Sequence, residues 1–589
     1  MGLKDIISPF YVWKRALEKP FTQPSPLTTR PGADRYRGFH QNDMEKCIGC
    51  GSCETICQNA AIDMVPVADL KATEADSGLR PQIDYGRCCW CGLCVDICTT
   101  GSLSMANDYT WVDTDPEVYR FTPGADAKPW DASEKGYCRA EGYGLLETDR
   151  VEMPMTLGEA GISSFLEVIH GYSKEQAMAE ANRCVQCGVC VATCPAHMDI
   201  PDYIKAIREH RLNDALELLY RTNPMPATCG RICTHRCETV CALGHLGDPI
   251  AIRWLKRYII DQFPAEQVAD HLKAEFAPNG KKVAIIGAGP GGLSAAYYLT
   301  HMGYDVTVYE AQEKAGGMIR YGVPEYRMPE AAMDAEVAVI EKMGVTLKTG
   351  MKVGRDVKFE ALMDGFDAVL IATGFESPYE LAIPGEDHPR VLAGIAVLDD
   401  VAKGKKVEVG EKVAVIGGGN VAFDGARTAR RLGAEVTIYY RRRIEDMPAD
   451  PEEIHEAQAE GVKIVTQAIP VHIEDREGRP RMIWNRAEMV DQGPGKRPKP
   501  VIIKGASEIA DVDTVIAAIG QASDYDFIPE SMSGRIHFNR TRVATEGLGQ
   551  TAEAKVFAAG DIVNNRGDAI SAIADGYKAA KGIDTFLSK

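Results

Sequence analysis

Cysteine carries the first chemistry in this chain. CIGCGSCETIC at 47–57 and CCWCGLCVDIC at 88–98 each hold three cysteines at Cys-x2-Cys-x2-Cys spacing, with a fourth after three more residues. CVQCGVCVATC at 184–194 repeats that spacing, and a looser quartet, CGRICTHRCETVC, follows at 229–241. Three thiolates in so short a loop wrap one iron–sulfur cube, while the fourth reaches the neighbouring cube. Structural zinc instead pairs two short hairpins across a longer loop. The first two runs are therefore expected to hold two [4Fe-4S] clusters by cross-over. One uses Cys47, Cys50, Cys53 and Cys98, and the other uses Cys88, Cys91, Cys94 and Cys57. Gln58 and Thr99 stand where the usual pattern has proline, which shapes a turn and does not ligate. Cys89 and Trp90 read as packing residues.

The second chemistry belongs to glycine. KKVAIIGAGPGGLSAAYYL sets Gly287, Gly289 and Gly292 between a β-branched run and a helix-forming one, and DVTVYE ends in Glu310. Such a turn lets the backbone approach a pyrophosphate at a helix N-terminus, and the acid accepts from a ribose hydroxyl. A second turn, VIGGGNVAFD, offers Gly417, Gly419, Asn420 and Ala422, but its next strand, EVTIYY, ends in Arg441, Arg442 and Arg443. An acid at that place would repel a 2′-phosphate, whereas arginines offer it forked donors and positive charge. NADP(H) is expected there in preference to NAD(H).

These side chains must be positioned by several domains, because 589 residues exceed what one core organises. A composition of 45% hydrophobic and 25% charged residues fits globular folding, and a net charge of −18 argues against nucleic acid as a partner. No apolar run is long enough for a membrane helix, and the N-terminus lacks the pattern of a secretory signal. Eighteen cysteines without an export signal point to metal ligation in a reducing cytoplasm.

Residues 1–20 suit a short helix with Ile6, Phe10, Trp13 and Leu17 on one stripe, limited in length by Pro9. It would either pack on its own domain or dock on a partner or membrane surface. From Asn107 to about Met155 the text turns loop-like, a long tether or wrapping segment. SKEQAMAEANRC then offers a helix capped by Ser173, and DPIAIRWLKRYIIDQF an amphipathic one. Beyond Lys281, β-branched runs alternate with helices in βαβ style.

The stretch from YVWKRALEKPFT through both first quartets resembles the two-cluster ferredoxin-like subunit of respiratory complex I and its hydrogenase relatives. The resemblance implies an electron wire docked against other subunits. SKEQAMAEANRCVQCGVCVATCPAHMDIP and NPMPATCGRICTHRCETVCALGHLGDPIAIRWLKRYI resemble the helical iron–sulfur domain of the glutamate synthase small subunit. That domain also occurs in dihydropyrimidine dehydrogenase and in NADH-dependent reduced ferredoxin:NADP oxidoreductase. By this resemblance Cys184, Cys187, Cys190 and Cys241 hold one cluster, and Cys194, Cys233 and Cys237 hold three corners of the next. Several members place Glu or Gln at the position of Lys256, which cannot ligate as a cation, so Cys229 is expected at the last corner, with a nonprotein or distant ligand as the alternative. AGGMIRYGVPEYRMP at 315–329, with Gly317, and AISAIADGYKAA at 569–580 resemble the same family. ATG at 372–374 and Gly560–Asp561 are similar to the elements that close its FAD site.

The expected architecture is therefore multidomain. An α+β ferredoxin-like 2×[4Fe-4S] module spans 1–105, a linker 106–155, and an α-helical Fe-S domain 156–280. Two α/β Rossmann-type domains follow, for FAD at 281–395 and 505–589 and for NADP(H) at 396–504. A nicotinamide gives up paired electrons, a cluster takes one, and a flavin converts between them. FAD, NADP(H) and four [4Fe-4S] clusters then form a wire from NADP(H) to a partner. The expected function is electron exchange with a ferredoxin or an Fe-S or flavin subunit, within a transhydrogenase or electron-bifurcating complex. No side chain is assigned as acid or base. The alternatives are a glutamate synthase small subunit feeding an amidotransferase and a non-catalytic wiring subunit. No barrel follows the last helix, which counts against dihydropyrimidine dehydrogenase.

Overall fold

A computed structural model describes residues 12–19, 32–33, 35–129, 136–142, 144–272, 277–493, 496–564 and 566–589. The chain divides into two compact units. One comprises residues 1–149, 185–192 and 239–249, and the other residues 150–184, 193–238 and 250–589.

In the first unit, strands Ile62–Pro66 and Leu79–Asp84 pair antiparallel, and Arg120–Phe121 joins as a third. His40–Asn42 pairs with Leu103–Met105. The short helices Ser52–Ile56 and Leu93–Asp96 each follow a left-handed glycine, Gly51 and Gly92, so the repeated cysteine text becomes repeated structure. Phe39, Ile62, Ile83, Val95, Leu103, Met105 and Phe121 form the core. The loop-like segment after 106 wraps this module. Trp111 and Tyr119 pack on its core, and the Tyr137 hydroxyl donates to Asp96 at 2.8 Å. At the N-terminus residues 12–16 are helical with Val12, Trp13 and Leu17 exposed, while Ile6 and Phe10 lie outside the described residues.

The second unit opens with helices. Lys174–Asn182 begins with the expected Ser173 cap, completed by Gln176 into a reciprocal capping box. Ile252–Asp261 departs from expectation, because it is buried all round from Ile252 to Ile260. Its cations do not face water. Arg257 pairs with Glu167 at 2.9 Å and Asp261 at 3.1 Å, and Arg253 pairs with Glu452. A periodic polar stripe looks amphipathic in sequence whether water or carboxylates cover it.

Two five-stranded parallel sheets follow. The first has the order Val556–Ala558, Ala368–Ile371, Lys282–Ile286, Asp305–Tyr309, Thr346–Lys348. The second has the order Val391–Ala393, Thr514–Ala517, Lys412–Ile416, Glu435–Tyr440, Thr466-ended Lys463–Thr466. Hydrophobic runs such as KVAII and KVAVI suit strands covered on both faces. The second sheet already begins at Val391, and a three-stranded antiparallel sheet, Ala468–Arg476, Arg479–Val490 and Lys499–Asp511, is inserted before its Thr514–Ala517 strand. The expected limits at 396 and 504 fall inside helix Gly394–Ala402 and strand Lys499–Asp511. Residue 504 lies inside a strand, and we propose that the chain returns to the first domain beyond Ala517. Strand text alone does not reveal which sheet a strand joins.

A buried ionic network ties helix Asn420–Arg431 to helix Pro451–Ala459 within the second parallel-sheet domain. Arg427, fully buried, contacts Glu453 at 2.9 Å, Glu456 at 2.7 Å and Glu460 at 2.8 Å, and Arg431 also reaches Glu460 at 2.8 Å. Removing one member strands charges in a medium that solvates them poorly. Arg427→Met is expected to destabilise the folded chain by about 3–5 kcal/mol, read as an earlier thermal transition of anaerobic protein. Arg355→Ala, which breaks only the exposed pair with Asp356, should leave that transition in place.

Candidate functional site

The first glycine turn is built around close backbone contact. Gly287 has φ +101°, and a Cβ there would lie 2.5 Å from the Ala372 carbonyl oxygen. Gly289 instead faces a cavity of about 250 Å³, also lined by Gly317, Glu310, Thr373, Gly560 and Asp561. Gly292 is buried at the start of helix Pro290–His301, packed on the Gly287 carbonyl. Each carboxylate oxygen of Glu310 accepts one backbone N–H, from Ala288 and from Gln312, both at 2.8 Å. That ties the strand end to the turn and leaves lone pairs for ribose hydroxyls. Burial raises the Glu310 carboxyl above its ordinary range. Asp561 is pushed up to about 6, by burial first and then by Asp568 and Asp575. Its buried Oδ1 has no hydrogen-bond partner among the described residues. An open glycine cradle and an unsatisfied carboxylate oxygen in one cavity fit a flavin dinucleotide.

The second turn repeats the plan, and a Cβ on Gly417 would meet the Ala518 carbonyl at 2.2 Å. Gly419 precedes helix Asn420–Arg431, and Ala422 is buried beneath the turn. Asn420 accepts from the Asp450 N–H at 3.0 Å, and with Val421 and Asp424 it lines the same cavity as the first turn. Sequence reasoning missed the pair that fixes this approach. Arg327, in the loop between helices Met318–Tyr321 and Glu330–Lys342, contacts Asp424 at 2.7 Å and Glu453 at 2.6 Å. Its neighbours in YRMP gave no signal of a partner 97 residues away. Of the three arginines closing the second strand, Arg443 is engaged by Asp446 at 3.0 Å and Glu445 at 3.3 Å. Arg441 is exposed, and neither it nor Arg442 pairs with a carboxylate among the described residues.

The thiols also gather. Cys47, Cys50, Cys53 and Cys98 line one small cavity. Cys88 is pushed up to about 11, by burial first and then by Cys89, Cys57 and Cys91, and Cys94 is raised by burial and by Cys88, Cys91 and Cys57. Trp90 stacks on Tyr85 at 5.7 Å, and Cys89 is exposed. His40 went unnoticed in the sequence. It is buried, held neutral by a pKa lowered to about 4, with Nε2 3.3 Å from the Cys94 sulfur. Cys187, Cys190 and Cys241 lie in the first unit and Cys184 in the second.

In the second unit Cys194, Cys229, Cys233 and Cys237 are all buried about the amine of Lys256. Burial alone would discharge this lysine, but the thiols of Cys233, Cys229, Cys194 and Cys237 outweigh it and raise its pKa. The four sulfur atoms suit an iron–sulfur cube, whose negative charge Lys256 would offset without ligating. Helix Pro226–Ile232, which carries Cys229, is anchored by Glu336 of helix Glu330–Lys342. That carboxylate accepts from the Thr228 N–H at 3.1 Å, the Thr228 hydroxyl at 2.5 Å and the Ala227 N–H at 2.5 Å. No residue pattern distinguished Glu336 from a surface glutamate.

Three family profiles match the chain. They are a 4Fe-4S dicluster domain at residues 46–102, dihydropyrimidine dehydrogenase domain II with its 4Fe-4S cluster at 161–268, and pyridine nucleotide-disulphide oxidoreductase at 281–576. The beta subunit of the NADP(+)-dependent formate dehydrogenase of Moorella thermoacetica is 37% identical over 68% of this chain, which spans 60% of that subunit. The NADPH glutamate synthase small chain of Escherichia coli is 33% identical, with 76% of this chain and 98% of that one covered. AegA of Escherichia coli is 30% identical over 93% of this chain and 87% of its own length.

Glu336 sets a pH dependence of stability. Burial lifts its carboxyl from 4.5 to about 7, so the folded chain keeps a proton that the unfolded chain has lost. The sign follows: this contribution favours folding below about pH 5 relative to neutral pH, and is lost as pH rises through about 7. Between about pH 5 and pH 8 the native chain should lose roughly 2–3 kcal/mol more than a Glu336→Gln variant. Parallel anaerobic unfolding curves of the two proteins check this.

Proposed function

This chain belongs to the pyridine nucleotide-disulphide oxidoreductase family, in the branch it shares with glutamate synthase small chains, and from that premise we propose that it exchanges electrons between NADP(H) and a separate iron–sulfur partner. One observation carries the reading. A single cavity is lined both by the first glycine turn, with Glu310 and Asp561, and by Asn420, Val421 and Asp424 of the helix that starts at the second turn. Hydride passes only between groups in contact, so a nicotinamide at the second turn needs its acceptor in that shared space. A flavin bound there supplies the conversion between paired and single electrons.

The chain's own residues have positional roles in this proposal. Gly287, Gly289, Gly292 and Gly317 cradle the FAD pyrophosphate, and Glu310 and Asp561 accept from its hydroxyls. Gly417, Gly419 and Ala422 open a helix toward the pyrophosphate of NADP(H), while Arg441 and Arg442 meet its 2′-phosphate. Four [4Fe-4S] clusters are proposed on the four cysteine sets, with Cys229 completing the set of Cys194, Cys233 and Cys237 beside Lys256. The partner is a ferredoxin or an Fe-S or flavin subunit. The relatives named as beta subunits and small chains support a complex. Among the described residues no helix is long and apolar enough to cross a membrane.

A second reading is a glutamate synthase small chain delivering electrons to an amidotransferase, favoured by the 98% of the Escherichia coli chain that is matched. It gives no role to the dicluster module at 46–102. Isolation of the native complex separates the two, since a large glutaminase-bearing subunit would select the second.

Anaerobic NADPH is expected to bleach both flavin and cluster absorbance, and a spectrum unmoved by NADPH would overturn the proposal. Iron should reach ~16 per chain for four cubane clusters. Cys229→Ser should remove about a quarter of it, and an unchanged iron content in that variant would take Cys229 out of the ligand set.

A further inference from the structure

We propose that Arg497, on the loop between strands Arg479–Val490 and Lys499–Asp511, is a third ligand of the NADP(H) 2′-phosphate, beside Arg441 and Arg442. This rests on the NADP(H) reading above and adds a determinant from a different sheet.

Two hydrogen bonds of opposite direction fold that loop onto the arginine turn. Arg497 Nη2 donates to the Asp446 carbonyl at 2.7 Å, and Arg442 Nε donates to the Pro498 carbonyl at 3.4 Å. The Asp446 carbonyl is fixed in turn by the Tyr440 hydroxyl, at the end of the strand that precedes the arginines. The guanidinium of Arg497 therefore stands at the same strand end, although 51 residues separate it from Asp446 in the chain. Both acids of the turn, Glu445 and Asp446, are engaged by Arg443. Arg441, Arg442 and Arg497 are left facing carbonyls or water, with no carboxylate partner among the described residues. Asp446, already held by Arg443, acts on Arg497 only at longer range, so the three guanidinium groups keep net positive charge at one strand end, an anion site whose forked donors suit a phosphomonoester. The bond from Arg497 to a backbone carbonyl uses one of its five N–H groups and aims the rest. Arg497 is exposed, so its substitution leaves the core intact.

Calorimetric titration of the full-length anaerobic protein with adenosine 2′,5′-bisphosphate, and with adenosine 5′-diphosphate as the reference, tests the assignment. Arg497→Ala should weaken the 2′-phosphorylated ligand at least about tenfold relative to the reference, the loss of one charge-assisted hydrogen bond. Arg497→Lys, which keeps charge without the fork, should fall between. In turnover with a dye acceptor, kcat/KM for NADPH should drop about tenfold more than kcat/KM for NADH. If Arg441→Ala erases the preference for the 2′-phosphate while Arg497→Ala retains it, or weakens both ligands equally, the role of Arg497 is refuted and the NADP(H) reading stands. If the unmodified protein itself shows no preference for the 2′-phosphorylated ligand, both are refuted.

Discussion

Hydride transfer needs contact, so the constraint on which the larger unit depends is the hold between its two parallel-sheet domains. Arg327 provides that hold. It leaves the loop between helices Met318–Tyr321 and Glu330–Lys342 and reaches Asp424 and Glu453 on two helices of the second domain. Asp424 lies one turn into the helix whose start meets the shared cavity, so the ion pair fixes that helix end against the flavin side. The pair is buried, and its worth is geometric more than energetic, because desolvation offsets much of the attraction. The surrounding charges explain how it persists. Arg327, Arg427 and Arg431 face Asp424, Glu453, Glu456 and Glu460, three cations against four acids. Burial first, and then the neighbouring Glu453, raises the Glu456 carboxyl, which favours a proton on the excess acid.

The thiol cage at Lys256 solves a related problem by other means. A cube held on these four sulfur atoms, as proposed, would concentrate negative charge where water is excluded. Lys256, on the all-buried helix Ile252–Asp261, places a cation among them, and its neighbours Arg253 and Arg257 turn outward to Glu452 and Glu167. One helix thus links the thiols to Glu452 of the second nucleotide domain, while Glu336 of the first domain anchors the Cys229 helix from the other side. The helical iron–sulfur domain is held by both nucleotide domains through polar contacts that tolerate little displacement.

Much of this was legible because covalent spacing imposes it. Cys-x2-Cys-x2-Cys closes on a cube whatever surrounds it, and Gly287 and Gly417 are required wherever a strand must turn under a carbonyl at 2.5 Å or less. The placement of Cys98 beside Cys47, Cys50 and Cys53 follows from a helical turn that carries the fourth cysteine away from its own loop. Partners brought together by folding were not legible. Glu336, Arg327 and His40 occupy unremarkable local text, and their roles depend on residues 45 to 109 positions away. The burial of Ile252–Asp261 was hidden because carboxylates, not solvent, cover its cations. The insertion of the antiparallel sheet before Thr514–Ala517 was hidden because edge and central strands share a composition.

The same distinction applies to recognition at the second turn. Arg441, Arg442 and Arg443 are equal as sequence, yet Asp446 and Glu445 occupy Arg443 and leave the other two available. Charge run and anion site are therefore different things. A run becomes a site only where the fold withholds the neutralising acids, and here a short acidic helix, Ile444–Asp446, takes up one arginine and turns its acids from the others. On the proposed reading, that withheld partner would decide between a hydroxyl and a phosphate on one ribose, which no count of basic residues discloses.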